Sequence, residues 1–191
     1  MSCDPNGKWC GDWHCIRCVP QTASEFKKFK KKQDKRKIML DYGWVNTRLA
    51  VGGHLNNDPS RLEELVNAGI THIINLQVEE DDAPLIQKCG ANVQYLRVPM
   101  WDDHESKPNE FFHAVIDFSL GALVVPRTKV YIHCAAGISR STSMVYAVLR
   151  ALGWDSATAS RLVIIARPIA QLNYKQDADR AVHELGYNNG Y

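Results

Sequence analysis

The sequence predicts an α/β domain with a short, largely parallel sheet flanked by helices. Three observations carry that expectation. From Trp44 to Gly186, short apolar runs of strand type alternate with longer runs of helical period, the order that builds parallel sheets through helical crossovers. Residues 129–150 pass from a five-residue run rich in Val, Tyr and Ile, through a turn of small residues, into a mostly apolar helix. The chain has 191 residues and is 45% apolar, which suits one globular domain with an appendage.

Taken in order, the elements are signalled locally. Asp58 and Pro59 form an N-cap and first-turn pair that starts a helix, and Asn67, Ala68 and Gly69 close it. Thr71 to Leu76 is a central strand, and a short helix ends at Cys89 and Gly90. Val93 to Val98 is a further strand, and a helix starts near Pro108. Lys129 to His133 is a short buried strand, and Ser141 to Arg150 is a helix that ends before Gly153. Asp155 opens a helix that runs to Arg167 and is cut by Pro168. The last helix covers about Asn173 to Leu185, and residues 188–191 are expected to fray.

The densest chemical signal is residues 133–141, which read His133, Cys134, Ala135, Ala136, Gly137, Ile138, Ser139, Arg140, Ser141. They lie at a strand-to-helix turn, where a helix N-terminus offers free amides and the positive end of its dipole. That environment and a nearby arginine both favour an ionised sulfur, the nucleophilic form of cysteine. Ala135, Ala136, Gly137 and Ser139 are small enough for the loop to curl tightly and turn its N–H groups inward as an anion nest. Arg140 offers a planar fork for two phosphate oxygens. Ser141 can donate to the sulfur when it leaves. The competing reading is a buried cysteine and a solvent-facing arginine at an ordinary βα turn.

This stretch resembles the signature of the cysteine-dependent protein tyrosine phosphatase superfamily, a His-Cys pair followed five residues later by Arg and Ser or Thr. Residues 38–187 resemble the compact dual-specificity phosphatases. The resemblance rests also on Trp44 to Gly53, similar to the family's opening strand and turn, on the helix after Asp58, on Thr71 to Leu76, similar to its central strand, and on Arg167 to Tyr174, similar to the segment before its last helix. It implies a dual-specificity phosphatase-like fold and hydrolysis of phosphotyrosine and phosphoserine or phosphothreonine through a phosphocysteine intermediate. It implies Cys134, Arg140, Ser141 and His133 as catalytic residues, and residues 135–140 as the phosphate cradle. It also implies an acidic residue about thirty positions before the nucleophile. Asp102 lies 32 residues before Cys134 and is favoured over its neighbour Asp103. The bland alternative is a solvated loop of Asp102, Asp103, His104 and Glu105. No cofactor is expected for catalysis. The loop between Cys134 and Arg140 lacks the lysines found in relatives that act on inositol phosphates, and this points to phosphoproteins. RNA 5′-ends, phosphoinositides, or mere recognition of phosphate by a binding protein are the alternatives. Outside the loop, Arg161 and Arg167 read as helix-surface residues, with contact to a phosphorylated partner as the alternative, His54 and His72 as structural, and Cys89 as a candidate resolving partner for Cys134.

The first 37 residues differ in kind. They hold ten Lys or Arg against four acidic residues, a net +6 within a chain whose total is +2. Cys3, Cys10, Cys15 and Cys18 could close a structural zinc site, with His14 able to replace one of them. Reduced cysteines on a tail, or a disulfide, are the other readings. The segment Lys27 to Lys37 is a solvated linker helix, a docking segment for an anionic partner, or a nuclear-import signal. No run approaches the length of a membrane span, and the start lacks an apolar signal core. An intracellular protein, cytoplasmic or nuclear, is expected. Composition is silent on oligomeric state.

Overall fold

The computed structural model describes residues 41–187. The four cysteines of the candidate zinc site, the basic segment Lys27 to Lys37, the domain boundary at residue 38 and the tail after 187 lie outside the described residues. Element order is β1 (Tyr42–Trp44), β2 (Leu49–Gly52), α1 (Pro59–Asn67), β3 (His72–Asn75), α2 (Ala83–Cys89), β4 (Gln94–Arg97), α3 (Asn109–Leu123), β5 (Val130–His133), α4 (Arg140–Ala151), α5 (Ser156–Ala166) and α6 (Lys175–Glu184). The predicted α/β class is what forms. One expectation is corrected: the opening segment is two antiparallel strands rather than one. Asn46 Oδ1 accepts from the N–H groups of Arg48 and Leu49 and folds the chain back on itself between them.

The five strands stand in the order β1-β2-β5-β3-β4, and every pairing except β1 with β2 is parallel. Period-two alternation sends neighbouring residues to opposite faces. Leu49, Val51, Ile74, Val130 and Ile132 face one core, which is completed by α3 to α6. Ala50, Ile73 and Tyr131 face a second core, which is completed by α1 and α2. The result is three layers, with helices on both sheet faces.

The caps explain where the helices begin and end. Asp58 accepts from Ser60 N–H at 2.9 Å to start α1, and Asp155 accepts from Thr158 N–H at 2.9 Å to start α5. Gly90, left-handed at φ 60°, ends α2. Helix α4 is buried from Arg140 through Leu149, so it is the central post of the larger core rather than a surface helix. β5 is the middle strand, and its last residue, His133, is in register with Gly52 and Asn75 on its two neighbours. Cys134 follows immediately, at the carboxyl ends of the parallel strands where such sheets place their sites.

Ile74, fully buried on the strand beside β5, tests the larger core. Ile74→Ala is expected to cost about 2–5 kcal/mol. In a thermal unfolding scan that lowers Tm by roughly 2–4 °C per kcal/mol.

Candidate active site

Residues 134–139 curl between β5 and the first turn of α4. For their N–H groups to face inward, their carbonyls must face outward, and each outward carbonyl needs a donor. The fold supplies one to every position from 135 to 139. Ala135 O accepts from His54 N–H at 3.1 Å, and Ile138 O from Gln171 N–H at 2.7 Å. Arg167 serves two more: its Nε donates to Gly137 O at 2.9 Å and its NH2 to Ala136 O at 3.0 Å. Ser139 O accepts from Ser143 N–H at 3.0 Å and from the Thr142 hydroxyl at 2.8 Å. Gly137 sits at φ 67°, and the Gly52–Gly53 backbone passes directly beneath it.

The reading of Arg167 as a surface residue is therefore corrected. Arg167 is only 5% exposed, and its guanidinium is clamped between the loop carbonyls and the carboxylate of Asp41. Pro168 ends α5 just where this side chain turns inward. Arg161 is exposed, as expected. His54 and His72 are partly exposed: His54 lies 3.9 Å from Glu80, and His72 packs edge-on against Phe118. Cys89 is exposed at the end of α2, whereas Cys134 is buried, and both are free thiols.

Cys134 Sγ lies 3.3 Å from Ser141 Oγ, and the hydroxyl also lies within 3.4 Å of Gly52 O. Behind the sulfur, His133 is fully buried. Its ring stacks on Tyr131, with centroids 5.3 Å apart, and its Nε2 lies 2.8 Å from Asp82 Oδ2. Asn75 Nδ2 donates to the same carboxylate oxygen at 2.9 Å. Burial raises the Tyr131 phenol well above its ordinary value, with the nearby Cys134 adding to the effect, so this phenol keeps its proton.

Arg140 is 2% exposed and held from two sides. Glu79 takes both terminal nitrogens, at 3.0 Å each, and Met100 O takes NH1 at 3.0 Å. Burial, the largest single influence, works against the charge of Arg140, but the hydrogen bonds it donates to Glu79 together with the charges of Cys134, Glu79 and Asp102 outweigh it, and the guanidinium is raised above its ordinary value. The same hydrogen bonds hold the Glu79 carboxyl below its own. The opposite edge differs: Arg140 Nε has no hydrogen-bond partner among the described residues and lies 3.6 Å from Asp102 Oδ2. A buried donor edge of this kind, beside a loop whose carbonyls are taken up by the rest of the fold, is suited to a tetrahedral oxyanion.

The structure brings Cys134, Arg140, Ser141 and Asp102 to one site, and it separates the two aspartates. Asp102 faces Arg140, whereas Asp103 is turned to Lys107. Four contributors escaped the sequence reading: Glu79, Asp82, Arg167 and Tyr174, whose hydroxyl donates to Asp102 Oδ1 at 2.9 Å. A partial signal existed for the first two. Residues 79–82 are four consecutive acids just beyond the carboxyl end of a core strand, where solvated charge alone gives no reason for them.

Two outcomes test the loop's supports. A Cβ at Gly137 would lie 2.5 Å from Gly52 C at a left-handed φ, so Gly137→Ala should lower the urea midpoint by the equivalent of about 1–3 kcal/mol at unchanged slope. The second concerns Asp41, whose carboxyl is held below its ordinary 3.8, first by the hydrogen bonds of Arg167. A carboxyl lowered on folding adds stability above its unfolded value and loses it as pH falls through the folded one. Asp41 is well exposed, so the gain is under about 1 kcal/mol. Asp41→Asn should therefore be slightly less stable than wild type at pH 7, and the difference should close below about pH 4 in urea titrations.

The family model for the dual specificity phosphatase catalytic domain matches residues 54–178. Dual specificity protein phosphatase 15 of Homo sapiens is 34% identical over 127 residues, covering 64% of this chain and 40% of the relative. The chain thus spans less than half the length of that curated relative. The crystal structure of human tyrosine phosphatase-like serine/threonine/tyrosine-interacting protein superposes with a TM-score of 0.63 at 26% identity, covering 77% of this chain and 97% of the other. PTPMT1 in complex with PI(5)P shares the fold, with a TM-score of 0.64 at 21% identity over 76% of this chain and 96% of the other. With the family's catalytic domain matched over more than half its length, the chain belongs to the dual specificity phosphatases of the cysteine-dependent protein tyrosine phosphatase superfamily.

Proposed function

We propose that this chain hydrolyses phosphotyrosine and phosphoserine or phosphothreonine in proteins through a phosphocysteine intermediate. The observation that carries the reading is the convergence on one buried turn of a cysteine, an arginine with an open donor edge, and a carboxyl group 3.6 Å from that edge. Cys134 Sγ attacks phosphorus as the bond to the leaving oxygen breaks. The amides of residues 135–140 and the Nε edge of Arg140 hold the equatorial oxygens, already pointed before substrate arrives. Asp102 gives its proton to the leaving oxygen, then takes one from the water that attacks the phosphocysteine. The Ser141 hydroxyl, 3.3 Å from the sulfur, supports the departing thiolate in that second step. His133 does not face the substrate. Stacked on Tyr131 and held by Asp82, it fixes the strand end from which Cys134 projects.

Asp103 has another partner in Lys107, which supports Asp102 as the acid. Every group in this sequence of steps belongs to the chain, so the proposed chemistry uses no cofactor. A protein substrate, rather than a polyanionic lipid headgroup or RNA end, is supported by the uncharged residues between Cys134 and Arg140 and by the two carboxylates, Glu79 and Asp102, that lie against Arg140. A thiolate enzyme needs reducing conditions, which supports the cytoplasm or nucleus as its setting.

The test is turnover of phosphotyrosyl and phosphoseryl peptides, a phosphoinositide and an RNA 5′-phosphate under reducing conditions with EDTA. Peptide turnover that vanishes in Cys134→Ser and falls about 10²–10⁴-fold in Asp102→Asn is expected. An inactive wild-type protein, or a preference for lipid or RNA, overturns the reading.

A further inference from the structure

We infer that Tyr174 is a positioning residue that fixes which oxygen of Asp102 exchanges the proton. The inference rests on the reading of Asp102 as general acid and goes one step beyond it. Tyr174 stands at the head of α6 with its ring buried, and its N–H donates to Ser143 Oγ at 3.2 Å, on the helix that begins with Arg140. Its hydroxyl reaches back to a segment some seventy residues earlier. His104 N–H lies 3.3 Å from the phenol oxygen and donates to it, so the phenol's own proton is free to be given away. Asp102 Oδ1 lies at 2.9 Å and Trp101 O at 3.4 Å, and the shorter bond to Asp102 takes it.

The two oxygens of Asp102 are thereby made unlike. Oδ1 is capped by the phenol, and Oδ2 is the oxygen 3.6 Å from Arg140 Nε, on the side where phosphate would sit. Among the described residues, no other side chain donates a hydrogen bond to this carboxyl, and Arg140 is its ion-pair partner. In the first step, Oδ2 loses its proton to the leaving oxygen as the S–P bond forms and the P–O bond breaks. In the second, Oδ2 takes a proton from water as the new P–O bond forms and the S–P bond breaks. Tyr174 keeps its own proton throughout. Burial, and then the bond to Asp102, push its phenol up to about 12, so it serves as a donor and not as a base.

The surroundings hold this arrangement in register. His104 lies at φ 63°, in the left-handed region, at the turn between Asp103 and its partner Lys107. Asn173 Nδ2 lies 3.3 Å from the His104 ring nitrogen. Lys107 Nζ sits 5.3 Å from the centroid of the Tyr174 ring and also pairs with Asp103, which keeps that second carboxylate off the phenol.

Leaving-group dependence tests the inference, because only groups that need protonation feel a misaligned acid. Turnover of a series of aryl phosphates and of a phosphoseryl peptide is compared in wild type, Tyr174→Phe and Asp102→Asn, with the alkylation rate of Cys134 by iodoacetate as a check on the loop. For Tyr174→Phe, the poorest leaving groups should lose about tenfold, the scale of one hydrogen bond to a charged group, and activated nitrophenyl esters much less. Alkylation should match wild type. An equal loss across all leaving groups, or a series as flat as wild type while Asp102→Asn is steep, overturns the inference alone. If Asp102→Asn itself hydrolyses the poorest leaving groups normally, the reading of Asp102 falls and the inference with it.

Discussion

The site depends on a requirement of backbone hydrogen bonding. A loop that turns its N–H groups toward an anion must turn its carbonyls away from it, into the protein, where an unpaired carbonyl is costly. Residues 135–139 solve this with donors drawn from distant parts of the chain: the His54 amide after β2, the Gln171 amide after α5, the Arg167 guanidinium, and the first turn of α4. The sheet, the glycines beneath the loop and the segment after α5 are all arranged so that these donors meet the loop's outer face. In the proposed function, the inner face is then left to bind phosphate.

Arginine plays two opposite parts here. Arg167 is a buried cation that spends its donors on the protein's own carbonyls and on Asp41, and it works from behind the loop. Arg140 is a buried cation with one edge committed to Glu79 and Met100 O and the other open toward Asp102. The planar fork makes this division possible, since one guanidinium can be anchored by its terminal nitrogens while its Nε side stays directed elsewhere. A lysine at either position would offer a point charge without that directionality.

Much of this was legible in the sequence. The order of elements and most caps followed from Asp58, Gly90, Asp155 and Pro168, because caps and periodicity act within a few residues. The neighbourhood of Cys134, Arg140 and Ser141 was legible for the same reason, since a seven-residue turn at a helix start admits few shapes. The sequence was weaker where equivalent chemistry sat at adjacent positions. Asp102 and Asp103 are indistinguishable by type, and a left-handed turn at His104 together with the Lys107 pairing sends them to different partners. It failed at Arg167, whose position at the end of an amphipathic helix gave no sign that it would be buried.

The sequence by itself determined the fold class, the loop and its chemical type, because these rest on short-range propensities and on residues adjacent in the chain. Only the tertiary structure decided which groups aim and support that chemistry. Glu79 and Arg140 are 61 residues apart, Tyr174 and Asp102 are 72 apart, and Arg167 and Asp41 are 126 apart. No local rule links such pairs. They meet because the three layers pack the carboxyl ends of β3 and β5, the start of α4 and the segment before α6 around one point, where a buried charge or carbonyl must find a partner.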